Sequence, residues 1–434
     1  MDVTAAPPET RAIGFWMAVA LVMGNMIGSG VFMLPAALAP YGGISLAGWL
    51  LSTAGSVLLA LVFARLARLN PAAGGPYAYT RQAFGDLPGF LVAWGYWISV
   101  WCTNAALAVA FVGYLDPFVP GIVRNPASAA ALAVGTLWLL TAVNFRGVRT
   151  AGRVQIVTTA IKILPLLIVG IAGLFALDPS HFAVADTGAR AIAGGVTATA
   201  TLTLWAFLGL ECATIPAGSI RDAAHTIPKA TVTGTVLAGA IYIVGTVGVI
   251  GVLAPATLGR TTAPFAEAAR ALGGDRAAAA VALGAAISCF GALNGWILIV
   301  GQLPMAVAHD GLFPRAFGRV STRGTPVFGM LVGGVLSTAL VAMNYSRSLV
   351  DLFTFIILLA TLSTLVPYAF CSLAGFLIGR RPGGKPFSTG ASIIASLAFA
   401  YTLWVIGGAG AEVVYWGFLL LMAGLPVYVR VARS

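Results

Sequence analysis

An all-α integral membrane protein with about twelve transmembrane helices is the fold class this sequence predicts, and three observations predict it. The chain of 434 residues is 59% hydrophobic and only 9% charged, too little charge to cover a soluble surface of that size. Its mean hydropathy is +0.96. Apolar runs of about 20 residues recur from end to end, each long enough to cross a hydrocarbon layer roughly 30 Å thick. Disorder and a soluble catalytic core are poor readings of such a composition.

In chain order the spans fall at about 14–38, 44–68, 88–115, 127–145, 154–176, 194–218, 230–254, 278–303, 327–344, 350–378, 389–408 and 412–430. The first is broken at its centre and followed by many more, so it reads as a span and not as a cleaved signal peptide. The third carries Cys102 and Asn104, the fifth Lys162, the sixth Glu211 and Cys212, the eighth Cys289 and Trp296, and the tenth Cys371. The four cysteines make no CxxC and no Cys/His cluster, which makes them packing residues. His181, His225 and His309 lie in loops and assemble no metal set. No cofactor or metal is expected, and without a P-loop motif ATP-driven pumping has no engine here.

Charge sets the orientation. With the N-terminus and every second loop placed in the cytoplasm, 17 of the 24 Lys/Arg fall inside, six fall outside, and Lys162 lies within a span. That bias predicts cytoplasmic termini by the positive-inside rule and explains the net charge of +11 without nucleic acid. Of the 13 Asp/Glu, only Glu211 falls deep in a span; Asp116 and Asp351 lie near span ends.

Residues 24–35 read "GNMIGSGVFMLP", three glycines and a serine inside an apolar run that closes on proline. In hydrocarbon a broken helix strands N–H and C=O groups at several kcal/mol each unless they line a cavity. Gly28, Ser29 and Gly30 permit the break and a close approach. The half-helix starting near Val31 presents bare N–H groups and a positive dipole end, and the first half presents carbonyls. A zwitterionic α-amino acid fits that split, its carboxylate on the Ser29–Gly30 amides and its ammonium on carbonyls near Met26. A glycine-mediated helix contact is the competing reading. A second irregular stretch, "TLWAFLGLECA", puts Gly209 beside Glu211 in the sixth span, five after the first. Interrupted helices in matching positions of two halves point to a transporter built of inverted repeats.

The chain resembles the amino acid–polyamine–organocation (APC) superfamily, most of all its bacterial arginine/agmatine antiporter branch. "GNMIGSGVFMLP", "GGPYAYTRQAFG", "YWISVWCTNAA", "TLWAFLGLECA", "GALNGW", "DGLFP", "GTPVFGML" and "TLVPY" carry the likeness, in order, over nearly the whole chain. The resemblance implies one polytopic domain, 1–434, with the LeuT-type 5+5 inverted repeat. Its halves would lie at about 14–176 and 194–378, with discontinuous helices 1 and 6 and two additional helices at about 389–430. It also implies a homodimer in the bacterial inner membrane and alternating access by rocking of a bundle against a scaffold.

Carried over by resemblance, Ser29 and Gly30 hold the substrate carboxylate, and Met26, Trp205 and Leu208 offer carbonyls to the ammonium. Trp205 lies over the substrate, Trp296 stacks on its cationic side chain, and Asn104 bonds the end of that side chain. Tyr96 and Phe353 act as gates, and Glu211 is the acid linked to gating or proton sensing. Physics favours a role for Glu211, since an intramembrane carboxylate is costly. Trp is likewise the strongest cation–π platform, although packing and interfacial anchoring compete for any one Trp.

The sequence departs from that branch at three places. Ala360 replaces a serine, Leu107 replaces a methionine, and Lys162 replaces an apolar residue. A lysine there resembles the proton-coupled carriers of the superfamily, where it contacts the broken first helix in place of a sodium site; with Glu211 it is a proton-coupling candidate. The leading expectation is therefore an exchanger of amino acids, basic ones such as arginine favoured. The alternative is a proton-coupled symporter of neutral amino acids using Lys162. A membrane enzyme would need a nucleophile–base pair or clustered ligands, and no catalytic residues present themselves. A channel would need a filter or charge ring, equally lacking.

Overall fold

Hydrocarbon offers no partners to a peptide group, so a membrane chain closes its hydrogen bonds on itself. The computed structural model describes residues 12–432 apart from positions 72, 124, 185–187, 262, 345–348, 380–387 and 409–410; side chains at 122–123, 344, 349–359 and 412–413 lie outside it too. Among the described residues the backbone is helical, with a lone parallel bridge between Ile13 and Ile220.

The helices are α1 (Phe15–Met26), α2 (Ser29–Leu38), α3 (Ile44–Leu69), α4 (Pro76–Phe84), α5 (Asp86–Gly113), α6 (Pro120–Val123), α7 (Pro126–Phe145) and α8 (Val148–Phe175). They continue with α9 (Ala189–Leu204), α10 (Ala223–Val252), α11 (Pro255–Leu258), α12 (Pro264–His309), α13 (Val327–Asn344), α14 (Leu349–Ile378), α15 (Thr389–Gly408), α16 (Ala411–Met422) and α17 (Leu425–Ala432). Among the described residues ten helices are long and apolar enough to cross a membrane, and α1 with α2, bent by 41°, makes an eleventh. The shorter apolar helix Val327–Met343 stands where the ninth span is expected.

Two stretches differ from the sequence reading. The long α12 changes direction at Gly274, whose φ of +76° suits glycine; the eighth span at 278–303 lies beyond that bend. The sixth span is expected at 194–218 with its break near Gly209, yet α9 already stops at Leu204 and α-helix does not resume before 218. Only 3₁₀ turns follow, at Trp205–Phe207, Cys212–Thr214 and Ala217–Ser219. Gly209 at φ +106° and Pro216 break the ladder, and neither can be absorbed into a regular helix.

Helix α1 packs against α8, α10 and α12, at the centre of the molecule. The helices approach closely where glycines cross. A Cβ built on Gly173 of α8 would lie 2.4 Å from the Gly248 carbonyl oxygen of α10, so neither position admits a side chain. The N-terminal segment closes on the irregular sixth span: Ile13 N–H donates to Ser219 O (2.9 Å), and Arg221 N–H donates to Ile13 O (2.9 Å). All four cysteines are buried and unbridged.

Gly173→Ala should lower stability by about 1–3 kcal/mol, because the clash is with backbone that cannot swing away. Gly135→Ala, where nothing lies within 4 Å, should not. Thermal unfolding in detergent reads the difference.

Candidate substrate-binding site

The first break is made by Ile27 (φ −79°, ψ 83°) and Gly28 (φ −111°, ψ −146°). Helix α2 then begins at Ser29, two residues earlier than expected, and no side chain caps it. The amides of Ser29, Gly30 and Val31 thus fall in a first turn that has no intrahelical acceptors. Ser29 Oγ is buried and has no hydrogen-bond partner among the described residues.

The carbonyl side of the break is answered mainly by other helices. Lys162 Nζ, fully buried on α8, donates to the carbonyls of Gly24 and Ile27, each at 2.5 Å. Ser288 Oγ of α12 donates to Ile27 O at 3.0 Å and Gly28 O at 3.3 Å. The Trp296 indole N–H donates to Asn25 O at 3.2 Å. Among the described residues Met26 O accepts only the local Gly28 N–H, at 3.0 Å, which leaves one lone pair open.

The second break sits against the first. A Cβ on Gly30 would fall 1.7 Å from the Trp205 ring, and one on Gly209 would meet Asn25 at 3.1 Å and Trp296 at 3.2 Å. Only glycine lets these two irregular backbones touch. Trp205 is partly exposed, and its carbonyl accepts the Leu208 N–H at 3.2 Å. Leu208 itself is extended (φ −63°, ψ 130°). Glu211 is completely buried, with Tyr96 donating to one carboxylate oxygen and Tyr368 to the other.

Several predicted residues therefore converge on the two breaks: Met26, Ser29, Gly30, Trp205, Leu208, Trp296 and Lys162 lie on or beside them, with Glu211 two residues past Gly209 and Tyr96 of α5 bonded to it. Trp296 is only 3% exposed and spends its donor on backbone, a tie between α12 and α1. Asn104 is buried on α5, its Oδ1 unpartnered among the described residues. Leu107 comes within 3.1 Å of a Cβ built on Gly28. Ala360 packs in a small cluster with Ile98, Cys102 and Ala106. The Phe353 side chain lies outside the described residues.

Sequence reading missed Tyr368, Ser288 and a buried amide network. In that network Asn144 Nδ2 donates to Asn294 Oδ1 (3.1 Å), Asn294 Nδ2 to Gln155 Oε1 (3.2 Å), and Gln155 Nε2 to Ala20 O (3.4 Å). The available signal was polarity in a span, since a buried Tyr, Asn or Gln needs a partner.

An all-helical bundle with two interrupted spans meeting at its centre defines a membrane transporter. A family model described as amino acid permease matches residues 13–427, and the chain belongs to that family. It is 34% identical, over 98% of both chains, to a Bacillus subtilis (strain 168) protein provisionally named an arginine/ornithine antiporter. It is also 34% identical to the cadaverine/lysine antiporter of Escherichia coli (strain K12), over 83% of this chain and 82% of that one. With the putrescine transporter PotE of the same strain it shares 30% identity, over 97% and 96%.

Lys162→Met should destabilise the fold by about 1–3 kcal/mol for each carbonyl left unpaired. Ser288→Ala should cost less, since Lys162 still serves Ile27 and the other bond lost, to Gly28 O, is long at 3.3 Å. Melting temperatures of the two variants check the order. Gly30→Ala should displace Trp205, seen as a change in tryptophan fluorescence without loss of helix content.

Proposed function

We propose that this protein is an amino acid exchanger of the bacterial cytoplasmic membrane, with both termini inside. A basic amino acid such as arginine is the favoured substrate, exchanged for a related amino acid or a polyamine. The observation that carries the reading is the uncapped start of α2, where three first-turn amides and the unpartnered Ser29 hydroxyl offer a positive dipole end to a carboxylate. Met26 O supplies an acceptor for the ammonium on the other side of the break, and the carbonyls of Trp205 and Leu208 add to it. The relatives' cargoes, basic amino acids and diamines, support a site that accepts a second cationic group.

In this reading Trp205 closes over the bound amino acid, and Asn104 Oδ1 receives the far end of a cationic side chain. Trp296 adds its ring face while its N–H anchors α1. Tyr96 and Phe353 gate the site. The chain forms repeats at about 14–176 and 194–378 with the helices at about 389–430 outside them, alternating access comes from rocking of a bundle against a scaffold, and two copies associate as a homodimer in the lipid bilayer. Lys162 occupies the carbonyls that a sodium ion would need, so the cycle runs without sodium. With Glu211, Lys162 is where protons would act. The symport alternative is the less favoured, because the named antiporters among the relatives exchange substrates.

Proteoliposomes supply the test. Labelled arginine should enter rapidly only when the lumen holds arginine, ornithine or a polyamine. Equal uptake into empty vesicles under an inward proton gradient would replace exchange with symport. Trp296→Leu should weaken transport of cationic substrates about tenfold more than that of small neutral ones, corresponding to roughly 1–2 kcal/mol of cation–π attraction. Equal losses for both would remove that role.

A further inference from the structure

A cavity lies away from the helix breaks, at the end of the bundle where Lys and Arg are in excess. Its volume is about 620 Å³, and it is walled by the end of α3, the first turns of α10 and α15, and Phe15 at the start of α1. Arg65 and Arg68 come from α3 and Lys229 from α10, and among the described residues no Asp or Glu lines it. Three cations around one concavity give it a positive potential that favours an anion. Helix α15 begins beside it and adds a positive dipole end.

The rest of the wall is apolar, and that decides which anion. Lys229, Val232 and Thr233 line the cavity; at helical spacing they share a face of α10 with Val236 and Leu237, which are 45% and 43% exposed. On α3, Leu61, Arg65 and Arg68 line the cavity and continue a face that reaches Leu51, 42% exposed. The charged hollow therefore opens onto two apolar stripes leading toward the bilayer centre. A soluble phosphate would use only the charges. A phospholipid uses both parts.

We propose that this cavity seats the headgroup of an anionic phospholipid, with its phosphate among Arg65, Arg68 and Lys229 and its acyl chains along α3 and α10. Because the lipid bridges α1, α3, α10 and α15, its binding tightens the ends of these helices against one another. The site is independent of the substrate reading above.

The experiment uses the full-length protein in detergent, with native mass spectrometry for retained lipid and thermal unfolding for its effect. Phosphatidylglycerol should be retained and should raise the melting temperature; phosphatidylcholine and inorganic phosphate should do neither. Arg68→Gln and Lys229→Gln, both at exposed positions, should each weaken phosphatidylglycerol binding about fivefold and together about 25-fold. Val232→Trp, which narrows the cavity without changing charge, should also expel the lipid. Arg319→Gln, a cation lost elsewhere on the same side, should have no effect. The proposal is overturned if phosphatidylcholine stabilises equally or phosphate alone reproduces the shift. Full retention by the double variant, or a loss in Arg319→Gln as large as in Lys229→Gln, overturns it as well.

Discussion

The structure depends on how stranded peptide groups are satisfied where α1 gives way to α2. In a membrane interior each unpaired group costs several kcal/mol, so a break persists only if something else supplies partners. Here the two ends are treated differently. The carbonyl end is held by Lys162, Ser288 and Trp296, from two other helices. The amide end is left uncapped. One half of the break is thus satisfied by side chains, while the other keeps its first-turn donors open.

Holding the carbonyl end with a lysine has consequences for the machinery. The Lys162 amine ties α8 to α1 where α8 also packs on α10 and α12, so any change at Lys162 is felt by the broken helix directly. The amide network from Asn144 through Asn294 and Gln155 to Ala20 forms a second tie between the same elements. Glu211 forms a third, drawing α5 and α14 to the sixth span through two tyrosine hydroxyls. Such paired polar contacts are discrete, either made or lost, and that is the property a two-state carrier needs.

The sixth span shows what pattern reading misses. Its apolar length and charge-poor interior indicate a membrane crossing, and the glycine beside Glu211 marks a break. Apart from Pro216, nothing local says that α-helix fails to resume beyond it. That outcome follows from Gly209 lying against Asn25 and Trp296 and from Ile220 pairing with the N-terminal Ile13, contacts between residues far apart in the chain. Trp296 illustrates the same limit: its place beside the site was readable, whereas its donor bond to Asn25 O was not.

Composition and periodicity alone determined that the chain is a helical membrane protein, where most spans lie, which span is broken and that Glu211 and Lys162 are costly to bury. These follow from transfer free energies, which each residue carries wherever it sits. Tertiary structure decided which stranded group meets which partner: Lys162 on two carbonyls, two tyrosines on one carboxylate, Trp205 on Gly30. Hydrogen bonding and close packing are short-ranged and directional, so they belong to pairs of residues brought together by the fold and are written in neither one alone.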